Sequence, residues 1–413
     1  MEMQRKIRVA VVFGGRGPEH AVSCLGAGNA LRALDRDRYE VIPIGITSDG
    51  TWVPVPDEPA RLALSAAGEL PTVETVATAD QAGPPDNDRA DGAGQAVTRA
   101  DPPGQVPELL RGVDVVLPIL HGPFGEDGTM QGLLEIAGIR YAGAGVLASA
   151  VGIDKEYMKI IFAARGLPVG RHVVVRERDW VLPTGPDGAS AGGLRAGELG
   201  TGEPGTGEAA VGESPPPERK RVLDAIAELG WPVFVKPARG GSSIGTSKAS
   251  DMGELHESIA LARRFDHKVI VEAAIDGTEI EVGVLEGAPG QSPDTSLPGQ
   301  MLIDGADEFH TFGIKYLDPV DRMAIPARIP AAAIDEIRRL AAEAFDAVSC
   351  EGLARVDFFY TTDGRVLLNE INTLPGLTPT SYFQKLWEAS GLPFGQLLDR
   401  VLQTALAKRP GLR

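Results

Sequence analysis

The sequence predicts an α/β protein that opens on a parallel sheet and turns α+β in its carboxy-terminal part. Three observations carry this. Buried-strand and helical patterns alternate from residue 7 onward, a βαβ opening. From Thr278 the pattern becomes antiparallel. Ala354–Asn372, ARVDFFYTTDGRVLLNEIN, reads as a hairpin about Asp363-Gly364, the strongest short hairpin signal available.

In order along the chain, Ile7–Phe13 is a strand, Ala21–Leu34 a helix after a Gly-rich turn, and Glu40–Ile46 the next strand. Asp114–Leu120 (DVVLPIL) is a further buried strand, and Thr129–Ala137 a helix after the loop HGPFGEDG; together these form a first domain, 1–141. A second α/β layer, 142–275, has helices at Lys155–Arg165 and Asp251–Arg264 and strands at Val233–Lys236 and Lys268–Glu272. The third part, 276–413, has a helix at Ala331–Val348. Residues 182–220 contain no aromatic residue and no isoleucine, and cannot bury enough apolar surface to offset their ordering entropy. They are expected to be a disordered surface insertion, as is the similar stretch near 69–105.

At about 150 residues per domain, 413 residues make two to three domains. Forty Lys and Arg against 57 Asp and Glu give a formal charge of −17, which repels polyanions and argues against nucleic-acid binding. No apolar run of about 18 residues is present to insert in a membrane, and Met1–Arg8 lacks a secretory h-region, so a cytoplasmic location is expected. Cys24 and Cys350 lie far apart, without metal-ligand spacing, and six scattered His residues do not suggest zinc.

A two-residue loop at 363–364 would pair Thr362 with Arg365, placing Asp357 opposite Glu370 and Arg355 opposite Asn372, all on one face. Opposed carboxylates repel unless a cation lies between them. The oxygen donors Asp357, Glu370 and Asn372 suit Mg²⁺. The competing reading is a solvated charged face, against which Phe359, Val366 and Leu368 are expected on the same side.

Lys236 ends a buried strand and leads into a glycine-rich loop, KPARGGSSIG. This is not a Walker A motif; the loop can fold over a triphosphate, with backbone N–H groups and the hydroxyls of Ser242 and Ser243 as donors, or be a plain hairpin. The turn FGGRGPEHAVS leads into a helix whose N-terminus can accept an anion or be capped by Ser23 or Glu19. It lacks GxGxxG, which excludes a nicotinamide-dependent dehydrogenase. His121, at the carboxyl end of a strand, is either a ligand-binding or a plain loop histidine.

Together, GGRGPEHAVS, HGPFGEDGTMQG, KPARGGSSIG, KYLDP, RVDFF and NEINTLPGLTPTS resemble the D-alanine:D-alanine ligases of the ATP-grasp superfamily. The resemblance implies a Rossmann-like amino-terminal domain and a nucleotide held between two further α+β domains. It implies that ATP phosphorylates one D-alanine and that the amine of a second attacks the acyl phosphate, giving the peptidoglycan dipeptide. Asp357, Glu370 and Asn372 match ligands of two Mg²⁺ ions, for which Mn²⁺ can substitute. Lys155 and Lys236 match the lysines on the α- and β-phosphates, Glu272 and Ile275 the adenine contacts, and Glu279 the ribose acid. Arg355 and the Gly376 N–H resemble the oxyanion donors. Glu19 matches the acid on the first D-alanine's ammonium, with His121 near its carboxylate; Ser381 and the backbone of Tyr382 match contacts to the second carboxylate. Lys315 and Tyr316 match a closing loop, the lysine reaching the γ-phosphate and the tyrosine meeting Ser242 and Glu19. Partners would be the small-molecule substrates and, as a homodimer, a second copy of the chain. His20 stands where many members have arginine, and His310 and Phe312 replace loop tyrosines. The rival readings are a D-alanine:D-lactate ligase and, from another class, a non-catalytic ATP-binding sensor.

Overall fold

The computed structural model describes residues 5–65, 68–77, 108–180, 217–302, 322–409 and 411. The chain folds as two compact units, one of Met1–Gly170, Arg239–Ile244 and Ile275–Arg413, the other of Arg171–Ala238 and Gly245–Ala274. The sheets of the first and third predicted segments thus belong to one unit.

That larger unit opens with β1 (Ile7–Gly14), α1 (His20–Ala33), β2 (Tyr39–Ile46) and β3 (Trp52–Pro54). A short helix α2 (Val73–Ala77) and strand β4 (Val115–Ile119) follow, giving the sheet order β3-β2-β1-β4 with β1 parallel to both neighbours. The unbroken apolar run Val9–Phe13 of β1 is what a parallel strand covered on both faces requires. Val9, Val11 and Phe13 pack in one apolar cluster with Cys24, Ala27 and Leu31 of α1, while Ala10 and Val12 face a second cluster with Met130 and Leu134 of α3 (Thr129–Ile136). Residues 73–77, expected in a surface insertion, are instead helical, with Val73 and Val76 buried. Two valines three residues apart suffice to dock one helical turn, a signal lost in the polar composition around them.

The helices α4 (Val146–Ile153) and α5 (Lys155–Ala164) precede the smaller unit, whose strands are β5 (His172–Val175), β6 (Val233–Pro237), β7 (Ser247–Ala249) and β8 (Val269–Ala273). Their order is β5-β8-β6-β7, and every pairing is antiparallel, earlier than the change expected at Thr278. Alternation of strand and helix reports layering, not strand direction. Helices α6 (Pro217–Ala227) and α7 (Met252–Arg263) accompany this sheet, so 217–220, counted within the second insertion, begin a helix. Trp180 is 2% exposed, with the Arg219 guanidinium 5.0 Å from its ring centroid.

The larger unit resumes with the antiparallel strands β9 (Gly277–Leu285), β10 (Asp294–Thr295), β11 (Gly299–Met301) and β12 (Met323–Ala324), the helix α8 (Ala331–Ala347), and the hairpin β13 (Leu353–Thr361) and β14 (Val366–Asn372). The helices α9 (Tyr382–Ala389) and α10 (Phe394–Ala407) end the chain's regular structure. The sheet runs β12-β11-β9-β13-β14, and Ile337, Leu340, Ala344 and Phe345 of α8 pack against Val356, Phe358, Leu368 and Ile371.

The hairpin differs from its prediction in two ways that cancel. Thr361, not Thr362, pairs with Arg365, and Gly364 N–H donates to Thr361 O at 2.9 Å with Gly364 at φ +84°. This is a three-residue loop ending in a left-handed glycine. The register therefore starts one residue off, until Asn369 bulges out between the Phe358–Leu368 and Asp357–Glu370 pairs and restores it. Asp357 still opposes Glu370, and Arg355 still opposes Asn372. Val366 and Leu368, however, are turned to the helix-covered face by the bulge, opposite to the expectation. The ammonium of Lys159, 2% exposed on α5, donates to the bulged Asn369 carbonyl at 3.2 Å. Lys159→Met is expected to destabilise the fold by about 1–3 kcal/mol, read as a lowered Tm, by removing a donor from a part-buried carbonyl.

Candidate active site

Two loops at the carboxyl ends of β1 and β4 supply the first group of side chains. Glu19, 5% exposed, ends the first loop and accepts a hydrogen bond from the Ser242 hydroxyl. Neither Glu19 nor Ser23 caps α1 with its side chain; Ser23 Oγ accepts from Gly14 N–H at 2.7 Å and donates to Ile119 O. Ser242 and Ser243 are both left-handed, at φ +50° and +57°, and Ile244 N–H donates to Gly241 O at 3.1 Å, so the glycine-rich segment makes a tight turn of the I′ kind. In the second loop a Cβ at Gly122 would lie 2.8 Å from Glu19 Oε2, so a glycine there admits the carboxylate.

His121 is buried, and its Nε2 has no hydrogen-bond partner among the described residues. Burial pushes its pKa down, opposed by the Glu19 carboxylate and a bond with the Leu374 backbone, which keeps the ring neutral. Glu126 shares this loop and was not singled out from sequence; nothing in HGPFGEDG ranks it above Asp127. Its Oε2 accepts from Gly122 N–H at 2.6 Å. Burial first, then the nearby Glu19 charge, push its pKa up to about 8, against the Gly122 N–H and Arg355. A raised carboxyl pKa stabilises the fold fully below its ordinary value of 4.5 and progressively less as pH rises toward 8. Glu126→Gln is expected to flatten that decline, seen by comparing Tm with wild type across this pH range.

The second group lies on three neighbouring strands. Register places Glu281 of β9, Asp357 of β13 and Glu370 of β14 directly side by side. Asp357 is fully buried and accepts two bonds from Arg355, Nε to Oδ1 at 2.8 Å and Nη2 to Oδ2 at 2.7 Å. Arg355 Nε also lies 3.4 Å from Glu281 Oε2, and Asn372 Nδ2 donates to Asp357 Oδ2 at 3.0 Å. Glu370 Oε2 is 3.7 Å from Lys155 Nζ, which donates to Gly240 O at 2.7 Å. Asp154 presents that lysine by capping α5, accepting from the N–H groups of Glu156 and Tyr157. Carboxylate oxygens of Glu279, Glu281 and Asp357 come within 4.8 Å of one another. An all-oxygen donor set of Asp, Glu and Asn fits a hard cation such as Mg²⁺. Glu281 escaped the sequence reading because only the β9–β13 pairing, between strands far apart in sequence, brings it into this row.

In the smaller unit Lys236 and Glu272 form an ion pair at 2.6 Å across β6 and β8. Ile275, half-buried, follows β8, and Glu279 is half-buried on β9. Gly376 lies in the loop after β14; Ser381, at the head of α9, is buried with its Oγ accepting from Thr378 N–H at 2.9 Å. Tyr382 opens α9, with Lys385 Nζ 5.4 Å from its ring centroid. Lys315, Tyr316, His310 and Phe312 lie outside the described residues. The structure thus joins Glu19 to Ser242, Arg355 and Asn372 to Asp357, and Glu370 to Lys155. Among the described residues no helix is long and apolar enough to cross a membrane.

Known proteins share both the sequence and this fold. Residues 8–144 match the family model described as D-ala D-ala ligase N-terminus, and residues 213–403 that described as D-ala D-ala ligase C-terminus. The chain is 46% identical over 412 residues to the D-alanine–D-alanine ligase of Streptomyces avermitilis, covering 99% of this chain and 96% of that one. It is also 46% identical over 414 residues to the D-alanine–D-alanine ligase of Mycobacterium sp. strain KMS, covering 99% of each. Among solved structures, the D-alanine-D-alanine ligase from Coxiella burnetii is similar at a TM-score of 0.71 and 29% identity, over 98% of this chain and 94% of that one. A D-Ala:D-Ser ligase from Enterococcus faecalis is similar at a TM-score of 0.69 and 26% identity, over 97% and 100%. Matches at both ends of the chain, and relatives alike over almost its whole length, leave one assignment: the chain belongs to the D-alanine–D-alanine ligase family, with the ATP-grasp fold.

Proposed function

We propose that this chain joins two molecules of D-alanine into D-alanyl-D-alanine for peptidoglycan synthesis, converting ATP to ADP and phosphate by way of a D-alanyl phosphate. The row Glu281–Asp357–Glu370, flanked by Arg355 and Asn372, carries this reading, since it concentrates oxygen ligands beside a buried guanidinium. Asp357, Glu370 and Asn372 are assigned to two Mg²⁺ ions, with Mn²⁺ as a substitute. Bound Mg²⁺ neutralises phosphate charge as it moves to the leaving group.

The chain's own residues do the rest. Glu19 holds the ammonium of the first D-alanine, and neutral His121 offers a hydrogen bond near its carboxylate. Arg355 and the Gly376 N–H stabilise the oxyanion. Ser381 and the Tyr382 N–H take the second carboxylate. Lys155 and Lys236 hold the α- and β-phosphates, with Ser242 and Ser243 as further donors; Glu272 and Ile275 meet the adenine and Glu279 the ribose. Lys315 reaches the γ-phosphate, and Tyr316 closes on Ser242 and Glu19. The reading includes a homodimer working in the cytoplasm.

Mass spectrometry of products tests it, using ATP and Mg²⁺ with D-alanine alone, L-alanine alone, or D-alanine paired with D-lactate or D-serine. The expected product from D-alanine alone is D-alanyl-D-alanine, with phosphate released and L-alanine inert. Depsipeptide from D-lactate without any dipeptide would assign a D-lactate ligase; nucleotide binding without phosphate release would assign a sensor.

A further inference from the structure

The residue after Glu19 is tied to a distant segment. The His20 ring is 8% exposed. Its Nδ1 lies 2.8 Å from Gly15 O, and its Nε2 lies 3.0 Å from the Val73 amide nitrogen. A carbonyl only accepts and an amide N–H only donates, so the ring is neutral, with its proton on Nδ1. One nitrogen closes the Glu19 turn on itself, and the other leaves the turn for α2.

Val73 is the first residue of α2, where a helix leaves N–H groups without an intrahelical partner. His20 satisfies one of them from outside. The Val73 side chain is fully buried and fills space that two glycines leave open: an added Cβ would lie 2.6 Å from its methyl at Gly14, and 2.5 Å at Gly45. Gly14 precedes the Glu19 turn directly, so α2 braces that turn by packing as well as by the hydrogen bond. Glu74 fastens the other side, with Oε1 accepting from Ser48 N–H at 2.7 Å. Its Oε2 stands 3.6 Å from His20 Nε2, beyond hydrogen-bond range.

We propose that His20 is a positioning residue for the first substrate, holding the Glu19 turn against helix α2 so that this helix shapes the ammonium site. This rests on the assignment of Glu19 to the first D-alanine.

Two amides separate the two bonds of His20. An Asn side chain ends near the place of Nδ1 and can keep the Gly15 bond; a Gln ends near the place of Nε2 and can keep the Val73 bond. The full-length variants are compared by hydrogen exchange at α2 and by steady-state kinetics resolving the KM values of the first and second D-alanine. His20→Asn is expected to speed exchange at Val73 and raise the first-site KM about tenfold, with the second-site KM unmoved, whereas His20→Gln stays near wild type. Equal behaviour of the two variants overturns the proposal, and so does faster exchange with an unmoved first-site KM. If His20→Asn does not fold, Val73→Pro removes the donor together with the valine packing against Gly14 and Gly45, at a helix position that tolerates proline; an unmoved first-site KM there also overturns it. Glu19→Gln in parallel separates the two readings. If it raises the first-site KM and His20→Asn does not, this inference alone falls; if neither does, the Glu19 assignment is at fault and both fall.

Discussion

Glu370→Gln is expected to lower kcat by at least about 100-fold while leaving Tm nearly unchanged, because a lost metal ligand removes several kcal/mol of transition-state stabilisation. The fold should tolerate it. The Glu370 side chain is 25% exposed, its partner Lys155 keeps the bond to Gly240 O, and the Arg355–Asp357 pair is untouched. Phosphate release titrated with Mg²⁺ checks the prediction: an unchanged Mg²⁺ dependence would remove Glu370 from the ligand set.

Arg355→Met should do the opposite to stability. Asp357 is fully buried and Glu281 only 2% exposed, and both lie against the same guanidinium. Removing it leaves two buried carboxylates facing each other, with an expected loss of about 3–5 kcal/mol in chemical denaturation. Turnover should fall by a further kind of loss, about 10²- to 10³-fold for an oxyanion donor. Adding Asp357→Asn to Arg355→Met should recover part of the stability and none of the turnover, since the uncompensated charge is the source of the first effect alone. A double variant no more stable than the single one would mean that guanidinium packing, not charge, holds this face together.

Local chemistry made much of this legible in the sequence. The apolar run of Ile7–Phe13, the helix at Thr129 and the hairpin at 363–364 announce themselves within a few residues, and each forms. The opposition of Asp357 and Glu370 was reached through a turn one residue too short and a bulge not foreseen. A bulge has no sequence signature here because Asn369 is anchored by Lys159, more than 200 residues earlier. Glu281, Val73 and His20 share that difficulty. Their roles come from pairings between segments that no period or spacing connects, and Val73 lay inside a stretch whose composition argued for disorder.

The apolar cluster around the first strand bears on how the chain is made. Val9, Val11 and Phe13 share it with Phe394, Leu397, Leu398, Val401 and Leu402 of the final helix. At roughly 5–20 residues per second, the ribosome needs roughly 20–80 s between making the two. Throughout that interval α1 can cover this side of the strand, but the part of the cluster that the final helix completes stays open. Products shortened at the last helix are expected to aggregate more readily than the full chain, because they leave this cluster incomplete.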